Sequence, residues 1–243
     1  MDMKKAIVIG ASSGIGRELA KVLSQNGYVV GLSARRTKLL FELQKEIPAK
    51  TFIKRIDVTQ TKEAMNLLEE LISEMDGMDL IVINSGVLFP NPNWEQEMET
   101  INVNVTGFAA MANIAMKYFC NRVSGHIVGI SSIAALRGGL ASPIYHASKA
   151  FVSNYLEGLR RKVSKLGVDA HITDIKPGYM DTRMTRGKIK SRKWLLMVAP
   201  SEKAARQVFE AIKNKRKHAY ITKRWRIVAW LVKIMPNWML NKL

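Results

Sequence analysis

The sequence predicts an α/β protein of one domain built around a doubly wound parallel sheet, and three observations carry this expectation. Short β-branched runs alternate with longer amphipathic stretches along the chain, the pattern of strands joined by crossover helices. A glycine-rich turn follows the first run directly and opens the first amphipathic stretch. With 243 residues, 47% hydrophobic and 24% charged, the chain can bury a full core, and open sheets of this size commonly form one unit.

In chain order, strands are expected at Lys5 to Ile9, Val29 to Ser33, Thr51 to Val58, Leu80 to Asn84, Gly125 to Ser131 and Asp169 to Lys176. Between them, helical periodicity runs over Gly14 to Asn26, Thr37 to Ile47, Thr61 to Asp76, Trp94 to Val123 and Ile144 to Leu166, several followed by a Gly near the expected end. Pro200-Ser201-Glu202 is an entry signal for a further helix from Ser201 to Lys213, and a short last strand follows at Ala219 to Thr222. Right-handed crossovers between such elements give a doubly wound sheet. Ligands bind at the carboxyl ends of its strands, so the residues just after each strand are where chemistry is expected.

After the first strand comes Gly10-Ala11-Ser12-Ser13-Gly14-Ile15-Gly16. Glycines there permit a sharp turn and close approach of a phosphate, and the helix that follows offers free N–H groups to an anion. The spacing departs from G-x-G-x-x-G, so on its own it also fits a plain turn. The second strand ends at Ser33-Ala34-Arg35-Arg36, where an NAD site usually carries an acidic residue against the ribose 2′-hydroxyl. A guanidinium suits a 2′-phosphate, which favours NADP(H) over NAD(H). Further on, Tyr145-His146-Ala147-Ser148-Lys149 opens a helix and places Tyr145 and Lys149 on one face. A phenol titrates near pH 10 and an adjacent ammonium favours its phenolate, so such a pair can exchange a proton with a substrate oxygen. An isolated Tyr and Lys four apart would more often decorate a surface.

Taken with Gly10, Gly14 and Gly16, the segments Asn84-Ser85-Gly86, Asn104-Val105-Thr106-Gly107, Ser131-Ser132, Tyr145 to Lys149 and Pro177-Gly178 resemble, in order and spacing, the short-chain dehydrogenase/reductase family. The resemblance runs from about Lys4 to Thr182 and implies a Rossmann-type fold and an oxidoreductase. It implies Tyr145 as acid and base, Lys149 as the group that lowers its pKa and contacts the nicotinamide ribose, and Ser132 as hydrogen-bond donor to the substrate oxygen. Asn104, in register where Asn102 is not, would hold Lys149 and a proton-relay water. Ser132 rather than Ser131 stands thirteen residues before the Tyr. For the cofactor it implies the turn Gly10, Ser12, Ser13, Gly14, Ile15 and Gly16, Arg35 and Arg36 at the phosphate, Asp57 and Val58 at the adenine, and Asn84, Ser85 and Gly86 beside its ribose. Pro177, Gly178 and Thr182 would hold the nicotinamide. Departures are small: Ile9 replaces a Thr and Ser85 an Ala. Ser13 stands where many NADP-dependent members carry a basic residue, which leaves Arg35 nearly alone to specify the phosphate.

The net charge of +18 and pI near 10.1 are lopsided. From Arg183 to Leu243 there are 17 Lys and Arg against Glu202 and Glu210, a net of +15 out of the whole. Residues 183–200 match the family's variable substrate lid by position. Their basic, bulky content hints at an amphipathic substrate such as a fatty acyl or lipid-linked carbonyl, against the plainer reading of solvated lysines and a pocket wall. The segment 223–243 mixes Lys, Arg, Trp and aliphatics like an interfacial helix, too short to span a bilayer. Peripheral membrane contact and burial in a homodimer or homotetramer are equal expectations, and nucleic acid binding is unsupported by any stacking platform. His126 and His146 lack metal-ligand partners, and Ser12, Ser13 and Ser148 lack a nucleophile-elbow context. The lone Cys120 and the absence of a signal-like apolar run at the start point to the cytoplasm. The rival expectation is a non-catalytic NADP(H)-binding protein whose basic tail engages a membrane surface or acidic partner.

Overall fold

Strands covered by helices on both sides are largely apolar on both sides, which is why the sheet segments carry β-branched and aliphatic runs, unbroken in Ala6 to Ile9 and Leu80 to Ile83, rather than strict alternations. In the computed structural model, which describes residues 3–181, 198–222, 224–236 and 238, these runs become β1 (Lys5–Ile9), β2 (Val29–Ala34), β3 (Thr51–Arg55), β4 (Leu80–Ile83), β5 (Ser124–Ile130) and β6 (Asp169–Pro177). Two short strands, β7 (Met180–Asp181) and β8 (Ala199–Pro200), pair with each other, and β9 (His218–Ile221) closes the main sheet. Its order is β3-β2-β1-β4-β5-β6-β9, parallel throughout. The direction of winding reverses between β1 and β4, which opens a crevice at their carboxyl ends.

The helices are α1 (Gly14–Gln25), α2 (Thr37–Glu46), α3 (Thr61–Glu74), α4 (Trp94–Ile101), α5 (Phe108–Arg122), α6 (Pro143–Leu166), α7 (Ser201–Lys213) and α8 (Trp225–Ile234). Successive strand residues point to opposite faces. Ile7, Ile9, Ile81 and Ile83 therefore join Leu68 of α3, Phe108 and Met111 of α5 and Leu156 of α6 in one core. Ala6, Val8 and Val82 join Leu19 and Leu23 of α1, Leu40 of α2 and Val208 of α7 in the other. Each fully buried Leu or Ile contributes on the order of 1.5–3 kcal/mol of transfer free energy, so the two cores hold the crevice between rigid walls.

The fold class is the one the alternation predicts, with two informative differences. The third strand ends at Arg55, ahead of Val58, because Asp57 Oδ1 accepts hydrogen bonds from Thr59 N at 3.1 Å and Thr59 Oγ1 at 2.9 Å and closes a turn. The single helix expected over Trp94 to Val123 is interrupted by a π-helical turn, Asn102–Gly107. Such wide turns recur at functional sites. Here the turn lets Gly107 lie on Val58, so close that a Cβ at Gly107 would stand 2.8 Å from the valine side chain. Of the expected lid 183–200, residues 183–197 fall outside the described residues, as does the end of the tail.

Candidate active site

The turn after β1 is built by two glycines. Gly10 has φ +88°, and a Cβ there would meet Ser85 N at 2.8 Å. A Cβ at Gly16 would lie 2.4 Å from the Gly10 carbonyl oxygen, so only glycine lets α1 begin directly behind the turn. Asn84, at the end of β4, donates from Nδ2 to the Gly10 carbonyl at 3.0 Å and locks the turn to the neighbouring strand. Ser13, the residue before α1, makes no side-chain cap, and the first turn of α1 carries no acidic residue. The start of the helix thus keeps its N–H groups and its positive dipole end for an anion.

Two guanidiniums border this turn, in different ways. Arg36 donates from Nη2 to Ser12 Oγ at 2.8 Å and Ser13 Oγ at 2.9 Å. Arg35 is half-exposed, with Nη2 3.9 Å from Glu99 Oε1. Arg36 thus reaches back from the end of β2 and places a positive charge beside Ser13, which has none of its own.

At the other end of the crevice, Pro143 starts α6 and Tyr145 and Lys149 fall one turn apart. Lys149 is buried and donates from Nζ to the Ile130 carbonyl at 3.0 Å. Its Nζ lies 5.8 Å from the centre of the Tyr145 ring. Burial lowers the Lys149 pKa to about 8, against the opposing pull of the Asp174 carboxylate. Burial likewise pushes the Tyr145 phenol up to about 12, while a hydrogen bond with Ser132 works to lower it. Removing the phenol from water is the largest influence, and the neighbouring Tyr179 adds to it. Ser132 Oγ also accepts from Ala134 N at 3.1 Å, which fixes its direction at the start of the 3₁₀ turn Ile133–Leu136.

Ser131 points elsewhere: its hydroxyl donates to Asp174 Oδ1 and to the Ile175 carbonyl, the latter at 3.0 Å. Asn104 is buried, and its amide is spent on the backbone of Val87 and on Ser148. Oδ1 accepts from Val87 N at 2.9 Å, and Nδ2 donates to Val87 O and Ser148 Oγ, both at 3.0 Å. The Asn104 side chain thus braces the segment after β4 against α6, while Lys149 Nζ rests on the Ile130 carbonyl.

Most of these residues converge on one cleft of about 510 Å³, although Asn104 and Gly16 are not in its lining. Its lining includes Gly10, Ser12, Ser13, Gly14, Ile15, Arg35, Arg36, Val58, Asn84, Ser85, Gly86, Ser132, Tyr145, Lys149, Pro177 and Gly178. Asp57 is turned into its own hydrogen-bonded turn and is absent from this lining; Thr182 lies outside the described residues. Sequence reasoning missed the apolar wall of Val87, Leu88, Phe89 and Met180. The position of Val87, Leu88 and Phe89 directly after the Asn84-Ser85-Gly86 turn was the available signal. Among the described residues no group of three His, Cys, Asp or Glu could hold a metal ion.

Also missed was a buried ionic network behind the cleft. Asp174 and Lys176 lie two apart on β6 and form an ion pair, and Lys176 Nζ donates to Ser153 Oγ of α6 at 2.7 Å. His218 Nδ1 stands 3.7 Å from the same Asp174 oxygen. Burial would raise the Asp174 pKa, but His218, Lys176 and the Ser131 hydroxyl more than offset it and hold it at about 2.

Comparison with known proteins places this geometry in context. The family described as short chain dehydrogenase matches residues 4–193. An uncharacterized oxidoreductase of Myxococcus xanthus is 36% identical over 192 residues, covering 76% of this chain and 75% of that protein. A short chain dehydrogenase/reductase from Burkholderia phymatum, solved in complex with NAD, superposes with a TM-score of 0.84 at 22% identity over 95% of this chain and 92% of that one. A protein called ElxO, solved with NADP bound, gives a TM-score of 0.77 at 20% identity over 86% and 91% of the two chains.

Proposed function

The chain belongs to the short chain dehydrogenase family, and from that premise we propose that it transfers a hydride between NADP(H) and a carbonyl or alcohol substrate, with Tyr145 as general acid and base. The observation that carries this reading is the convergence of Tyr145, Lys149 and Ser132 with the glycine turn and two guanidiniums around one cleft. The glycine turn and the uncapped start of α1 fit a pyrophosphate, and Arg35 and Arg36 fit a 2′-phosphate. Bound NADP(H) supplies or accepts the hydride at its nicotinamide ring.

The residues of the chain handle the substrate oxygen. In carbonyl reduction, negative charge builds on that oxygen, and the hydroxyls of Ser132 and Tyr145 both donate to it. With its pKa near 12, the phenol carries its proton at neutral pH and is ready to give it up as the oxygen becomes basic. In alcohol oxidation the proton travels the opposite way, and the Lys149 ammonium one turn along α6 stabilises the phenolate that receives it. Asn104, tied to Val87 and Ser148, acts as a positioning residue. The wall of Val87, Leu88, Phe89 and Met180 favours an apolar carbonyl compound over a compact hydrophilic one.

Purified protein is expected to oxidise NADPH with apolar ketones or aldehydes, followed by the loss of reduced-nicotinamide absorbance. Absence of turnover with either coenzyme across a broad carbonyl panel would overturn the assignment. Replacing both Arg35 and Arg36 by Ala is expected to reduce the preference for NADPH over NADH by about tenfold or more, since hydrogen bonds to charged groups are worth about 1.5–3 kcal/mol each. The ratio of kcat/KM values for the two coenzymes reads this directly, and an unchanged ratio removes the arginines from the phosphate site.

A further inference from the structure

α8 is apolar on two opposite sides. At 3.6 residues per turn, Trp225, Val228, Ala229 and Val232 share one side, which faces the body of the protein: Trp225 and Ala229 are buried and the two valines half-buried. Ile227, Trp230, Leu231 and Ile234 fall at i, i+3, i+4 and i+7 on the other side. They are 66%, 61%, 43% and 59% exposed. Single exposed apolar residues are ordinary, but an aligned stripe of four marks an interaction face.

We infer that this stripe docks the protein on an anionic phospholipid surface. The charge around it selects the occupant. Arg226 and Lys233 flank the stripe seven residues apart on one side of the helix, exposed to solvent. No acidic residue follows Glu210 in the sequence, whereas nine Lys and Arg do. A second copy of the chain pairing through α8 would set these cations against their own counterparts with no carboxylate to answer them, at a cost. A layer of phosphate headgroups supplies the missing complement and accepts the apolar stripe below it.

The dimensions fit a helix lying in the interface. Ten residues at 1.5 Å each span about 15 Å, half the hydrocarbon thickness of a bilayer. Among the described residues no helix is long and apolar enough to cross a membrane. Trp230 presents an indole of the kind that settles at headgroup level. The loop carrying Arg137, which donates to the Lys233 carbonyl at 3.4 Å, adds Leu140, 84% exposed. The inner side of the same helix reaches the cleft: the Trp225 ring lies against Gly178, where a Cβ would meet it at 2.1 Å, and α8 packs on the turn Ile133–Leu136 next to Ser132. The docked helix would thus be one layer away from the cleft wall.

Flotation of the full chain with vesicles tests this. Binding is expected to vesicles of phosphatidylcholine mixed with phosphatidylglycerol, to be weak on phosphatidylcholine alone, and to fall as salt is raised. Changing Ile227, Trp230 and Ile234 together to Glu should lower the partition constant about a hundredfold or more, and Arg226→Ala with Lys233→Ala about tenfold or more. The single change Trp230→Gln, at an exposed site, keeps the test available should the triple variant fold poorly, and should weaken binding by about tenfold. NADPH affinity should be unaltered in every variant, so this outcome is separate from that of the catalytic assignment. The inference is overturned if the wild-type chain ignores anionic vesicles, or binds neutral ones equally. It is also overturned if the triple Glu variant binds as wild type does, or if that variant converts an oligomer to monomers in a chain that ignores lipid, which would make the stripe a subunit interface.

Discussion

Tyr145→Phe is expected to reduce turnover by about 10²–10⁴-fold while NADPH affinity stays within about twofold, the range that general acid–base groups contribute. The substitution deletes one oxygen and keeps the ring, with its edge-to-face contact to His146 and the Lys149 ammonium above it. Lys149 and Ser132 are not placed to take over. Lys149 Nζ is committed to the Ile130 carbonyl at 3.0 Å, and Ser132 Oγ holds its orientation through Ala134 N. Serine alone can still donate a hydrogen bond to the substrate oxygen, so a small residual rate is consistent with the assignment. Single-turnover absorbance of NADPH, with coenzyme affinity measured separately by fluorescence, separates the proton-transfer loss from any binding loss. Retention of more than about a tenth of wild-type turnover would mean that another group carries the proton.

The largest effect on stability is expected from Asp174→Ala. Removing one partner of a buried ion pair leaves the other charge uncompensated, at a cost of about 3–5 kcal/mol. Here Lys176 would keep only Ser153 Oγ, and Ser131 would lose its carboxylate acceptor. Against a typical total stability of about 5–15 kcal/mol, the midpoint of chemical denaturation should fall sharply. Replacing the pair together, Asp174→Leu with Lys176→Met, should recover most of the loss, because both desolvated charges disappear at once.

The same pair gives a pH signature whose sign is fixed. The Asp174 carboxyl is held at about 2 in the folded protein against an ordinary value of 3.8, so its contribution to stability is fully present above the ordinary value. It is lost as pH falls toward about 2. The stability difference between wild type and Asp174→Ala should therefore shrink over that acid window. A difference below about 1 kcal/mol at neutral pH, or one independent of pH down to 2, would show that the pair is not the brace described here.

Much of this architecture was legible because one physical rule repeats along the chain. Strands sandwiched by helices are largely apolar, and helices on a sheet show one apolar stripe, so the alternation set the order of elements. The Tyr145 and Lys149 spacing was readable for the same reason: four residues is about one helical turn. The side-chain partners of Asn104 were not, since Val87 and Ser148 come from a loop and another helix, brought together only by the fold. The π-helical turn escaped because wide and regular helical turns share nearly the same apolar period. The Asp174 pair left a fainter trace. Opposite charges two apart share a face of a strand, and once that strand is central, both must be buried and paired. The direction of the Tyr145 shift depended on how deeply the phenol is buried, which spacing does not report.

The seating of Trp225 on Gly178 has a practical bearing. The indole fills the space a side chain would take at residue 178 and contacts Tyr179 edge to face at 5.5 Å. The last helix is thereby a wedge under the loop that follows β6, not an appendage to be trimmed. Shortened versions of the chain that stop before residue 225 would withdraw that wedge from beneath the reaction centre, and any tug on the outer rim of the helix has a mechanical route inward.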